Sequence, residues 1–529
     1  MNIKQAKEYI KDSVVLYLKK DDFGEYKIPV VRQRPIFLLG APGIGKTAVM
    51  EQIAQEMGIA LVSYSMTHHT RQSALGLPFI RHKEYGEEEF DVSEYTMSEI
   101  ISSVYETMEE SGVKEGILFL DEINCVSETL SPSMLQFLQY KVFGRHSVPE
   151  GWVIVTAGNP PEYNKSVREF DVATLDRLRV MEVEPDFAVW KEYAQEKGVH
   201  PAVVNFLELK KEYFYAVETT VKGRSYVTAR GWEDLSEILL LYEEEKKKAD
   251  ETLVGQYIRN ERIVKEFTAY YDLYNKYKTD YRIEEILAGR PTDAAKEKAK
   301  KAAFDERLSL LSMLLDKVTD GMKDVMETSD YLSDLMAPLK VLKQAVEKGN
   351  AVLESGTTLE SEAAGKNGSA IKSSTDVVRM LEKQAQARGQ VLRSKQKANA
   401  LSDSDRKKQR QVIFFMESVG KELYLGEEKS GTEAFGVIKS KFDAEVMQMK
   451  TVTEEVKKQL HFLFAFAEEV FTEGNEMLVL VTELTVNTDA VKFIARFGSE
   501  DYQRHNQELM LTERQNDMME QIRNLDILL

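Results

Sequence analysis

The run Gly40-Ala41-Pro42-Gly43-Ile44-Gly45-Lys46-Thr47 fits the pattern G-x-x-x-x-G-K-[ST]. Each residue type in it has a task in holding phosphate. Glycines let the backbone turn through positive φ and bring N–H groups close to phosphate oxygens. A helix starting at Lys46 points its positive end at the same charge. Lys46 would reach the outer phosphates, and Thr47 would place a hydroxyl on Mg²⁺. Cleaving a phosphate needs more than a cradle. "GILFLDEIN" (Gly116 to Asn124) ends in Asp121, suited to a metal shell, and Glu122, suited to polarising water. "GWVIVTAGNPP" brings the amide of Asn159 to a strand end, where it can bond both a water and a γ-phosphate. "ATLDRLRVMEV" offers Arg177 and Arg179, and "RSYVTARGWEDLS" offers Arg230, guanidinium groups able to neutralise charge developing on phosphate. Taken singly, each arginine reads as a surface residue.

These residues need a scaffold. The apolar runs "PIFLLG", "IALVSYS", "GILFLDE" and "GWVIVTAGN" each end in polar or glycine residues and alternate with helix-like stretches. Apolar on both sides, they suit a buried parallel sheet with helices on its faces, an α/β core over residues 1–185.

From about Asp186 the strand signals fade. Residues 186–290 read as an α-helical lid, with "ERIVKEFTAYYDLYNKYKTDYRIEEILAG" as one helix stopping at Gly289 before Pro291. Its Tyr270, Tyr274, Tyr277 and Tyr281 recur at helical spacing and read as packing rather than base stacking. Residues 291–529 form a long all-α C-terminal extension. One seam runs through Phe304, Leu308, Leu311, Leu315, Val318, Met322, Val325, Leu332, Met336 and Leu339, with Ser329 interrupting it. Pro338 is expected to end or kink that helix near Ala337. A second seam passes through Phe435, Ile438, Phe442, Val446, Met449, Val456, Leu460 and Leu463. Between them, Glu354 to Thr375 is rich in Gly, Ser and Thr and reads as a flexible loop. The two seams suit long antiparallel helices, either a bundle core or a coiled coil.

The totals exclude several classes. A net charge of -18 over 529 residues argues against a general nucleic-acid binder, because phosphate backbones repel an acidic surface. The densest basic run, "RSKQKANALSDSDRKKQR" (Arg393 to Arg410), carries acids and reads as a solvated helix end or loop. One cysteine, Cys125, excludes an intrachain disulfide and reads as a small buried residue. The pair His68-His69 lacks neighbouring ligands for a metal. No apolar run approaches the length of a membrane span, and the first twenty residues lack a signal peptide's apolar block; the expected location is cytoplasmic.

The ordered set GAPGIGKT, LFLDE, VTAGNP, LDRLR and TARGWEDLS resembles the AAA+ ATPases, and most closely the MoxR-like family. The resemblance covers about Met1 to Gly289 and implies an AAA+ P-loop core. It makes Asn159 the first sensor, Arg177 the arginine finger with Arg179 as second choice, and Arg230 the second sensor, where Thr-Ala stands in place of the expected Pro. It also implies ATP and Mg²⁺, ATP rather than GTP resting on the resemblance alone, with Ile28 to Val30 as base contacts. Gly76 to Thr96 falls where the family's helix-2 insert lies, and Tyr140 to Trp152 where its hairpin before the first sensor lies. The function so implied is that of a ring-forming ATPase, hexameric by the resemblance, acting as a chaperone-like remodelling or assembly factor. Its implied client is a protein, with a von Willebrand factor A-domain protein as the family's example. The alternatives are a nucleic-acid-associated motor and a non-catalytic nucleotide-dependent scaffold.

Overall fold

The computed structural model describes residues 1–68, 74, 76–86, 88–164, 167–220, 223–354, 373–471 and 475–507. Five parallel strands form the central sheet: β1 (Ile36–Gly40), β2 (Ala60–Ser65), β5 (Gly116–Asp121), β8 (Trp152–Gly158) and β9 (Arg179–Val183), in the order β2-β5-β8-β1-β9. Four of them are the apolar runs of the sequence. β9 is an addition: "RVMEV" carries two charges, which hide a strand that pairs with β1 on one side only. Every residue of β8 is buried, as a strand covered by helices on both faces should be. This is the expected AAA+ P-loop core.

Turn and cap chemistry set the flanking helices. Helix Lys46–Met57 follows the glycine loop directly. Helix Glu99–Ser111 begins where the Ser98 hydroxyl accepts the Ile101 amide and stops at left-handed Gly112. The two expected insertions are both hairpins. β3 (Pro78–Tyr85) pairs with β4 (Glu88–Tyr95), and β6 (Val142–Phe143) pairs with β7 (His146–Ser147). The Arg145 guanidinium lies 2.7 Å from the Glu94 carboxylate, so an ion pair joins the two hairpins. Phe143 does not project from its hairpin; it is buried and stacked on Phe137 at 4.0 Å.

The chain divides into two compact units. The first comprises residues 1–189, 228–230 and 386–409; the second comprises 190–227, 231–385 and 410–529. Most of the second unit is helix, with one hairpin of β10 (Ala216–Thr220) and β11 (Gly223–Val227) that the fading strand signal concealed. Trp232, Phe206 and Phe267 pack as edge-on and tilted rings at its centre. Tyr274 and Tyr281 are buried there, as packing residues.

Two helix expectations change. The tyrosine-rich helix is Glu261–Tyr281; Arg282 adopts φ 50°, breaking it before a short helix Ile283–Leu287. Tyr281 is held at the break by burial and by donating to Glu306 at 2.7 Å. Pro338 does not end its helix, which runs unbroken from Phe304 to Glu354. Buried Leu335, Leu339 and Leu342 anchor both sides of the proline, so packing outweighs the lost hydrogen bond. Ser329 sits in the seam, buried, whereas Met336 faces out and Leu335 takes its place. The partner helix Gly431–Val470 runs antiparallel: Leu342 and Val346 share a cluster with Ala434 and Ile438, while Gly321 lies against Val456. Residues 355–372 of the expected loop lie outside the described residues. Among the described residues, no helix is long and apolar enough to cross a membrane.

Candidate active site

The site is built at the C-terminal ends of β1, β5 and β8, the middle three strands. After β1 the loop turns through Gly43 (φ 74°) and Gly45 (φ 90°), conformations that a side chain would strain. A Cβ on Gly43 would also press on Thr228 at 3.0 Å. Ala41, Pro42 and Ile44 complete the turn between these points.

Lys46 is 8% exposed, and its ammonium donates to Gly40 O (2.7 Å), Ala41 O (2.8 Å) and Asn159 Oδ1 (2.9 Å). The strand-end amide is thereby brought onto the glycine loop. Burial holds this ammonium down at about 8; Asp121 and Glu122 oppose the shift and Arg230 adds to it. The Thr47 hydroxyl donates to Asp121 Oδ2 at 3.1 Å, and Asp121 Oδ1 accepts the Glu122 amide at 2.8 Å. These are hard oxygen donors side by side, the set that Mg²⁺ prefers, so the residues fit that ion. Among the described residues no group of three or more His, Cys, Asp or Glu could hold a metal by itself. His69 lies outside the described residues.

Glu122 has φ 56°, a left-handed conformation uncommon for a residue with a side chain. Its Oε2 accepts from Ser65 Oγ and Thr67 Oγ1, both at 3.0 Å. Ser65 ends β2 and pairs in register with Asp121. Asn124 Nδ2 donates to the Asn159 carbonyl at 2.8 Å, fixing the turn after β8. Ser65, Thr67 and Asn124 escaped the sequence reading. The signal available was the hydroxyl-rich strand end "SYSMT", which lies beside "LFLDE" once strand order is known.

The arginines separate. Arg179 is half-buried and donates to Ser13 Oγ at 2.5 Å, tying β9 to the N-terminal helix Ile3–Tyr17. Arg177 is exposed, with a bond to Ala173 O at 3.3 Å in its own turn. Arg230 is exposed too, and its amide donates to Gly43 O at 3.3 Å, beside the glycine loop. Cys125 is half-buried rather than buried, accepts from Asn164 Nδ2 at 3.4 Å, and has its thiol pushed up by burial and then by Glu122 and Asp121.

Residues 36–174 match the model of the ATPase family associated with various cellular activities (AAA). The chain therefore carries an AAA domain, which implies nucleotide binding. No curated protein matches the chain. Among solved structures, one described as "a putative ATPase" from Cytophaga hutchinsonii is similar at 16% identity, over 34% of this chain and 50% of its own, with a TM-score of 0.20. The similarity thus spans half the length of that relative.

Proposed function

We propose that this protein is an ATP hydrolase of MoxR type that assembles into a hexameric ring, in the family's manner, and remodels or helps assemble a protein partner. The observation that carries the reading is that two hydrogen-bonded groups, Lys46 with Asn159 and Thr47 with Asp121 and Glu122, meet at the adjacent residues Lys46 and Thr47. Lys46 exchanges its bonds to Gly40 and Ala41 for the stronger acceptors of ATP's outer phosphates. Thr47 and Asp121 would hold Mg²⁺, which would supply neutralising charge on those phosphates. Glu122, with Oε2 already engaged by two hydroxyls, uses its carboxylate to take a proton from water. The water oxygen then bonds to the γ-phosphorus as the bridging P–O bond breaks and ADP leaves with that electron pair. Asn159 orients the water. Arg230, whose backbone touches its own glycine loop, acts within its own subunit, whereas exposed Arg177 serves the site of the next subunit.

Rings are usual for AAA domains, and the pair of hairpins joined through Glu94 and Arg145 fits the two family insertions. A von Willebrand factor A-domain protein is the client class the MoxR reading proposes. Glu122→Gln tests the chemistry: ATP should still bind while turnover falls about 10³-fold, since only the proton acceptor is lost. Turnover within twofold of the unsubstituted protein would refute hydrolysis at this site. The same trapped variant, loaded with ATP, should retain the client in a pull-down.

A further inference from the structure

β2 is an edge strand of the sheet, with β5 on one side. An open edge presents unpaired N–H and C=O groups and is normally covered. Here the cover comes from more than 300 residues away. Helix Ser374–Lys397 ends at a turn, and helix Asp403–Leu425 returns from it. Asn399, at φ 52°, reverses the chain. Leu61 N donates to Ala398 O at 3.0 Å, and Leu61 O accepts from Asn399 Nδ2 at 3.3 Å. Both polar groups of one edge residue are thereby satisfied by the hairpin tip. Ala398 and Ala400 are buried in the same cluster as Ala60, Val62, Ile101 and Val104. Lys397 pairs with Glu110 at 3.2 Å, and the Ser394 hydroxyl bonds to Ser111 O, so the tip also grips the adjoining helix Glu99–Ser111. The basic run that reads as solvated is solvated only around this contact. Alanine lets the turn approach the strand, and Arg393, Lys395 and Lys397 before it are exposed.

Four residues beyond Leu61, β2 ends at Ser65, and Ser65 and Thr67 hold Glu122 Oε2. Further from the tip, the two arms supply Leu381, Ala385, Val412, Phe415 and Met416 to the apolar cluster of the C-terminal helices. One hairpin thus has its base in the helical extension and its tip on the strand that carries the Glu122 contacts. The geometry points to the Ala398–Ala400 tip as a positioning element for Glu122: it fixes β2, and through β2 the two hydroxyls, so that the state of the C-terminal helices sets whether Glu122 is aligned for its proton. This inference rests on the proposed hydrolase reading.

The test uses the full-length chain carrying Ala398→Glu, which places a charge in the buried contact, and the milder Asn399→Gly, which keeps the left-handed turn but removes the amide. Hydrogen exchange followed by mass spectrometry should show faster exchange in the peptides spanning 60–67 and 116–125, beside those of the tip and of helix Glu99–Ser111 that it grips. A fluorescent ATP analogue should bind within twofold of the unsubstituted protein, while kcat falls about tenfold or more. Ala398→Gly, which keeps the contact small and uncharged, should leave all three readings as in the unsubstituted protein. Faster exchange confined to residues 60–62, or kcat unchanged or raised, would overturn the inference and leave the tip as an edge cover. If Ala398→Glu does not fold, Asn399→Gly decides by the same readings. Should the unsubstituted protein bind but not hydrolyse ATP, the hydrolase reading fails, and exchange in 116–125 still decides whether the tip reaches Glu122.

Discussion

The phosphate cleft and the C-terminal helices bury residues to opposite ends. In the cleft, Lys46 is enclosed by oxygens from Gly40, Ala41 and Asn159, partners up to 113 residues apart. In the helices, Leu335, Leu342, Leu381 and Met416 are enclosed by other apolar side chains of one cluster. Removing a buried polar group in the cleft removes chemistry but little packing. Removing a buried leucine in the helices removes packing but no chemistry. The molecule separates what it does from what holds it together.

The sharpest way to break this comparison lies in two arginines two residues apart. Arg177→Ala should lower kcat about 10³-fold with the unfolding midpoint unchanged, if it serves a neighbouring site. Arg179→Ala should cost about 1 kcal/mol by leaving Ser13 without its donor, with kcat within twofold. Steady-state ATPase assays and urea unfolding on both variants check this. A reversed order would remove Arg177 from the proposed ring contact. A smaller effect is expected in the helices. Leu335→Ala opens a cavity in a fully buried stripe and should destabilise by about 3 kcal/mol in urea unfolding. Nucleotide affinity should not move. A weakened affinity would mean that the helical seam and the cleft are not separable.

That separation also governs what could be read from residues alone. Gly40 to Thr47, Asp121 and Asn159 are legible because phosphate chemistry needs fixed residue types at fixed spacing, and the four apolar strands because burial on both faces calls for consecutive apolar residues. β9 was hidden because its edge position tolerates Arg179 and Glu182. Ser65 and Thr67 were hidden for a different reason: a hydroxyl beside Glu122 is meaningful only after β2 and β5 are known to be neighbours. Pro338 misled because a propensity rule treats a helix as isolated, whereas this one is packed on either side of the proline. The tip at Ala398 was least legible of all. Its surroundings are charged, its two buried residues are small, and its partner is a backbone 337 residues earlier, so neither hydrophobic period nor motif marks it.

The smallest effect isolates the cleft from general instability. Burial lowers the Lys46 ammonium to about 8 from the 10.5 of a free lysine. The ammonium binds phosphate and the neutral amine does not, so the dissociation constant for ATP should rise about tenfold per pH unit above pH 8. Lys46→Arg should flatten that slope, because a guanidinium does not titrate in this range. The same group acts on stability with the opposite sign. Between pH 8 and 10.5 the unfolded chain holds a proton that the folded chain has released, so stability from Lys46 rises with pH across that window, by about 3 kcal/mol at most. Below pH 8 both states are protonated and the contribution is flat. Alkaline unfolding would weaken binding and stability together. Weaker binding with equal or greater stability between pH 8 and 9 would therefore identify the buried lysine as the group responsible, and parallel losses would show that the cleft owes its phosphate affinity to something else.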